Sequence, residues 1–331
     1  MKNRPIRREP FTPISYLFVS LLLLATGMAP GASTPAVEDS GFVKAPPITL
    51  KGASIAAQKR TIVLMTGANV VYNLNVRIGE DPRKSGKELP EPFLNSEFPR
   101  LGDSTAASTG WSIGVQGRKG SWYSSGTFGF LQGSRSLTKG LPKSLLTGTS
   151  ANEAWVQGIW DSPDGDITAT FVGKEDDDRL FMRVHRDFVG KNFFLRLNAL
   201  PGHVKAESAL PEERWVSTAS KNFQQSAGQP AEERIPAGDN WMVIFDKNTN
   251  KYRGVCAVLF DPEEVDAGFV WLGTMVAIRL SFPEDSTDAR LILWHMDEHY
   301  KTPEEAYDNL KDHQAQLLEE LRKMKFPAPN R

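Results

Sequence analysis

The stretch from Ala154 to Leu200 constrains the fold most. Its apolar residues recur with period two, not with the helical period of 3.6, so the backbone there is extended and one side of each strand faces an interior. Ala154 to Trp160 and Asp166 to Val172 flank Ser162-Pro163-Asp164-Gly165, and Asp-Gly between alternating runs is a strong hairpin signal. The acidic tip Glu175 to Asp178 leads into Arg179 to Phe188. There Leu180, Met182, Val184 and Phe188 alternate with Arg183, His185 and Asp187. Val189-Gly190-Lys191 then turns into Asn192 to Leu200. Short strands joined by tight turns make an antiparallel sheet.

Strand-like runs also flank this region. Thr61 to Met65 and Asn69 to Ile78 precede it. So do Trp111 to Val115 and Trp122 to Leu131, joined by the hairpin turn Gly117-Arg118-Lys119-Gly120. Trp241 to Phe245, Tyr252 to Phe260, Phe269 to Phe282 and Ala289 to Met296 follow. Polar stretches at 79–109, 132–152 and 201–239 read as loops. One helix stands out: Thr302 is an N-cap, Pro303 occupies the first helical position, and Glu305 completes a capping box. It is predicted to run to about Met324, before Pro327 and Pro329. Its stripe Ala306, Leu310, Leu317, Leu318 and Leu321 is suited to docking on a sheet. With no strand–helix alternation and no internal repeat, the predicted fold is all-β: an antiparallel β-sandwich with a C-terminal α-helix packed on the outside.

The N-terminus is set apart from that fold. Lys2, Arg4, Arg7 and Arg8 precede the apolar run YLFVSLLLLA (16–25), and small residues follow at Gly27, Ala29, Gly31 and Ala32. This is the layout of a signal peptide. The run falls short of the roughly 20 apolar residues that a membrane span needs. The expected organisation is a signal peptide at 1–33, a linker at 34–46, a β-sandwich domain at 47–300 and the helix at 301–326. The expected location is exported, periplasmic or extracellular, with no membrane association after cleavage. A net charge of −1 supplies no basic field for nucleic acid. The single cysteine, Cys256, excludes an intrachain disulfide, and its apolar run suggests a buried, inert thiol.

Several motifs come close to chemistry and fall short of it. His295-Met296-Asp297-Glu298-His299 has zinc-site spacing, but its residues straddle a strand end and a loop instead of sharing a helix face. Asp246 to Lys251 opens like a calcium loop, yet Lys251 stands where glycine is needed and Ala257 where the bidentate acid is needed. Glu175 to Asp178 reads as a solvated hairpin tip. No phosphate-binding glycine loop and no G-x-S-x-G elbow occurs. No metal site and no cofactor is therefore predicted, and the oligomeric state is not encoded in any readable pattern.

The best constellation comes from strand alternation. Centring a turn near Gly190 pairs 179–188 with 192–200 and sets Arg183 opposite Arg196, with His185 beside them. Like charges opposed across a strand pair destabilise it unless acids or an anionic ligand intervene. Asp187 and Asn198 share that side, and farther on Trp271 and Arg279 face away from the apolar set Val270, Leu272, Val276, Ile278 and Leu280. Arg183, His185, Asp187, Arg196, Asn198, Trp271 and Arg279 are thus the candidate binding residues. A carbohydrate, especially an acidic one, is the ligand such donors and ring faces suit. A solvated face balanced by Asp187 and Glu207 is the plainer alternative.

The order RLFMRVHRDF, NFFLRLNALPGH, a long loop and NWMVIFDKNTNKYRGVCAVLF over residues 150–298 resembles the galactose-mutarotase-like β-supersandwich group. The resemblance implies a supersandwich-like layout and sugar-facing chemistry, or a domain that supports another activity. No catalytic residue of that group is matched here. Three functional classes follow: an exported carbohydrate-binding or accessory protein, a carbohydrate-active enzyme (aldose epimerase or polysaccharide lyase) with His185 as candidate proton shuttle, and a structural component of the cell envelope.

Overall fold

The structure, a computed structural model, describes residues 34–50, 53–79, 110–115, 128–133, 135–137, 142–190, 192–199, 214–224, 232–246, 255–272, 276–296, 300 and 302–329. The strands in chain order are β1 (Ala36–Asp39), β2 (Val43–Leu50), β3 (Ala53–Met65), β4 (Tyr72–Gly79), β5 (Gly110–Val115), β6 (Phe128–Gln132), β7 (Arg135–Ser136), β8 (Ser144–Thr149), β9 (Glu153–Ser162) and β10 (Gly165–Lys174). They continue as β11 (Arg179–Arg186), β12 (Phe193–Ala199), β13 (Arg214–Thr218), β14 (Asn222–Gln224), β15 (Glu232–Arg234), β16 (Trp241–Asp246), β17 (Cys256–Phe260), β18 (Ala267–Leu272), β19 (Val276–Ser281) and β20 (Asp288–His295). Helix α1 spans Pro303–Lys323.

Three antiparallel sheets result. Sheet I has five strands in the order β1-β3-β4-β5, with β2 also pairing β3. Sheet II has nine, β14-β13-β16-β17-β20-β11-β10-β9-β8, and sheet III has six, β15-β18-β19-β12-β6-β7. Sheets II and III face each other across the main core. Leu180, Met182 and Val184 of β11 share it with Phe193, Leu195 and Leu197 of β12 and Val276, Ile278 and Leu280 of β19. Phe130 of sheet III meets Trp160 of sheet II edge-on at 5.7 Å and stacks on Phe193 at 6.2 Å. The other side of sheet II carries a second core, in which Phe181, Trp241, Val243, Phe245 and Ile292 pack against Ala306, Leu310, Leu317 and Leu321 of α1. The all-β sandwich with an external C-terminal helix is thus the observed architecture. Thr302 Oγ1 accepts the Glu305 N–H at 3.2 Å, as the capping box requires.

The central hairpins follow their turn chemistry. Ser162 pairs with Gly165, whose φ of +145° is available to glycine at little steric cost. The acidic tip between β10 and β11 is more than a solvated turn. Asp178 is 9 % exposed and accepts the Val70 N–H at 2.8 Å. Asp177 takes the Arg179 Nε–H at 2.7 Å. Tyr72 O–H donates to the Asp178 carbonyl at 2.9 Å and accepts the His295 N–H at 2.9 Å, so sheet I is pinned to sheet II through buried polar groups.

Several expectations need correction. The stretch 34–46 is not a linker: β1 and the start of β2 lie along the long β3, where backbone pairing needs no apolar period, and Arg60 Nε donates to Asp39 at 2.9 Å. The supposed loops conceal short strands, β7 and β8 within 132–152 and β13, β14 and β15 within 201–239. β5 and β6 do not form a hairpin, since β5 pairs with β4 and β6 with β12 and β7. The run 269–282 is two strands, β18 and β19, paired with each other. Asp246 ends β16, which pairs antiparallel with β17, and is buried against Arg214 at 3.2 Å. Residues 1–33, 80–109, the turn at 117–120 and 247–251 lie outside the described residues, so the signal-peptide reading has no structural counterpart here. No helix among the described residues is long and apolar enough to cross a membrane.

Candidate functional site

The seven candidate residues do not form one surface. β11 and β12 are consecutive in sequence but not partners: β11 pairs with β10 and β20 in sheet II, and β12 with β6 and β19 in sheet III. The chain crosses between the layers at 187–192. Because both strands turn their apolar residues into the same core, Arg183, His185 and Asp187 lie on the helix side of sheet II. Arg196 and Asn198 lie on the opposite outer side of the sandwich. The expected pairing of Arg183 with Arg196 is therefore wrong.

The residue that enforces the crossover was missed. Arg186 occupies the core-facing phase of β11 and is 0 % exposed. Its guanidinium donates to the carbonyls of Ser286 at 2.9 Å, Gly190 at 3.1 Å and Pro283 at 2.9 Å. It lies over the rings of Phe193, Phe188 and Phe282, at 4.8, 5.5 and 5.7 Å from their centroids. Burial holds its pKa below the usual arginine value. The signal was present in the sequence: an arginine continues the apolar series Leu180, Met182, Val184.

On sheet II, Arg183 stands opposite Arg290, and each has its own acid. Arg183 Nε donates to Asp288 at 2.6 Å, and Arg290 Nε to Glu264 at 2.8 Å. His185 bridges Asp288 through Nδ1 and Asp187 through Nε2, both at 3.1 Å. Its pKa is raised, chiefly by the Asp288 hydrogen bond, against an opposing effect of burial. Burial pushes the Asp288 carboxyl up, but His185 and Arg183 together bring it down to about 2. The cluster is charge-compensated, and both imidazole nitrogens are engaged.

Sheet III is different. There Arg196 stands directly opposite Arg279, so the like-charge pair expected from sequence exists with another partner. Arg279 is held between Phe194 and Phe269, 5.0 and 5.4 Å from their ring centroids, and donates to Glu232 at 2.6 Å. Its Nε is buried and has no acceptor among the described residues. Arg196 Nε donates to the Asn198 side-chain oxygen at 2.9 Å, and Arg196 contacts no carboxylate among the described residues. Burial and the Arg279 charge lower its pKa, with Glu232 opposing. Trp271 pairs across the sheet with Glu232 and Ala277, on the same face as Arg279, and is half-buried. Arg196, Asn198, Trp271 and Arg279 thus share one face. Solvent does not reach all of it, since Asn198 is 4 % exposed.

The chemically suggestive motifs are placed as follows. His295 ends β20 and is buried, while 297–299 lie outside the described residues. Among the described residues no group of three or more His, Cys, Asp or Glu is arranged to hold a metal ion. Cys256 is a buried thiol in β17, not part of a disulfide.

No protein-family model matches the chain, and no similar curated protein is found. Among solved structures it is similar to a TPR-domain containing protein from Parabacteroides distasonis, with 11 % identity, a TM-score of 0.46, and coverage of 90 % of this chain and 58 % of that one. It is also similar to the Slr1438 protein from Synechocystis sp., with 10 % identity, a TM-score of 0.30, and coverage of 71 % and 91 %. At these scores neither likeness bears on function.

Proposed function

We propose that the chain is an exported, non-catalytic binding or accessory protein for an acidic carbohydrate, held on the outer face of sheet III. One observation carries the reading: Arg196 and Arg279 oppose each other across β12 and β19 with Glu232 the one carboxylate bonded to either among the described residues. A sugar carboxylate would relieve that repulsion, and guanidinium N–H groups are suited to holding it in a planar, bidentate geometry. Trp271 adds an aromatic surface of the kind that packs on sugar rings. The export signal read at 1–33 and the supersandwich-like layout support the same reading. The charge-compensated cluster around His185 favours binding over proton-transfer catalysis.

The test is calorimetric titration with oligogalacturonate and with a neutral glucan of equal length. The expected result is selective binding of the uronate, weakened about 10- to 100-fold by Arg196→Ala, the worth of a charge-assisted hydrogen bond of ~1.5–3 kcal/mol. Equal affinity for the neutral glucan, or an Arg196→Ala protein that binds unchanged, would sink the proposal.

A further inference from the structure

Backbone pairing sets the residues of four strands of sheet III in cross-strand rows. Arg234 of β15 stands beside Phe269 of β18, Phe269 beside Arg279 of β19, and Arg279 beside Arg196 of β12. Three arginines therefore share one row on the outer face. In the next row Glu232 stands beside Trp271, and Trp271 beside Ala277. Neighbouring strands lie about 4.8 Å apart, so the ends of the arginine row, Arg196 and Arg234, are separated by about 14 Å at the backbone.

The three guanidinium groups are not equivalent. Arg279 is committed to the face itself: it lies over Phe194 and Phe269, whose rings meet edge-on at 6.5 Å, and it holds Glu232 at 2.6 Å. Arg196 donates to Asn198. Arg234 is exposed, and its side chain makes no ion pair or hydrogen bond among the described residues. Glu232 thus offsets the middle charge and leaves a cation without a bonded acid at either end. β15 is only three residues long, yet its position is fixed on both sides of Arg234. Buried Ile235 donates its N–H to the Gly268 carbonyl at 2.8 Å, and its side chain fills the space that a Cβ at Gly268 would need. Glu233 is paired with Lys221 at 2.7 Å.

Taking this face as the acidic-carbohydrate site proposed above, we propose that Arg234 is its second anchor and that the ligand is an oligomer lying across the strands. One carboxylate sits at Arg196 and another, on a different sugar residue, at Arg234. Trp271 stands beside the row and packs on the rings between them. A single uronic acid carries one carboxylate and reaches one end of the row at a time. An oligouronate engages both ends, and the second contact then forms within a complex already made, which raises affinity without any new kind of bond. A neutral glycan leaves both end cations uncompensated. A nucleic acid strand also carries repeated charge, but a chain of net charge −1 lacks the broad basic field that draws one in.

The experiment titrates the full chain and Arg234→Gln calorimetrically with galacturonate and with di-, tetra- and hexagalacturonate. The expected result is an affinity of the parent that rises about tenfold or more from the dimer to the hexamer. Arg234→Gln should flatten that rise, weakening the hexamer about tenfold and leaving the dimer unchanged. The substitution alters an exposed edge residue, and retained binding of the dimer shows that the rest of the face is intact. Affinity that does not grow with ligand length, or a hexamer that binds Arg234→Gln as it binds the parent, overturns the second anchor and leaves the acidic-carbohydrate reading standing. No binding of any member of the series overturns both. A single-stranded oligonucleotide of equal charge that binds as tightly as hexagalacturonate overturns the choice of a carbohydrate. The length series uses the unaltered protein and decides the matter even if the variant misfolds.

Discussion

Replacing Arg186 with methionine tests the account of how the two layers are joined. The substitution removes hydrogen bonds to three carbonyls within 3.1 Å and keeps an unbranched apolar stem against Phe188, Phe193 and Phe282. Each bond to a charged donor is worth ~1.5–3 kcal/mol net, about 4.5–9 kcal/mol for three. Removing a guanidinium that burial already disfavours returns several kcal/mol of desolvation cost. The carbonyl contribution wins because, among the described residues, no other donor reaches the Ser286 and Gly190 oxygens, while the Pro283 oxygen keeps the Ser286 N–H at 3.1 Å. We expect a net loss of about 3 kcal/mol, which for a domain of this size lowers Tm by about 6–12 °C. Urea denaturation of the parent and Arg186→Met measures the free energy. Hydrogen exchange should localise the loosening to the backbone around 187–192 and 283–287. A variant within about 0.5 kcal/mol of the parent, the range of ordinary surface substitutions, would refute the reasoning. It would mean that the aromatic cage, not the guanidinium, holds the crossover.

Two further predictions test other joints. His185 has a folded pKa raised above the ordinary imidazole value of 6.5, so its contribution is fully present below the unfolded value and is lost as pH rises through the folded one. Urea midpoints should fall across that window in the parent and stay flatter in His185→Gln, and an equal slope in both would discard the assignment. Asp288, held at about 2, acts in the opposite sense: its contribution is present above its unfolded value and fades as pH drops towards the folded one. Tyr72→Phe deletes the hydroxyl that accepts the His295 N–H and donates to the Asp178 carbonyl, a loss of about 1–3 kcal/mol. Thermal unfolding indistinguishable from the parent would show that sheet I does not depend on this contact.

What the sequence determined by itself was the local grammar. Period-two alternation assigned Leu180, Met182 and Val184 to the interior and Arg183 and His185 to the other side. Asp164-Gly165 set the β9–β10 hairpin, and Thr302, Pro303 and Glu305 set the start of α1. These features were legible because each depends on contacts within a few residues. Which strand lies beside which was decided by tertiary structure. An alternating strand pairs equally well with any partner whose apolar side faces the same core, so the alternation on either side of Gly190 did not show that β12 would leave sheet II for sheet III. That single crossover separated Arg183 from Arg196 and gave each another arginine as its neighbour, Arg290 and Arg279. Short strands such as β7, β13 and β15 carry too few residues to show a period, and their extended state comes from the hydrogen bonds of a neighbour. The charge balance of each cluster was equally hidden, because Asp288 and Glu232 reach Arg183 and Arg279 only after distant segments have been folded side by side.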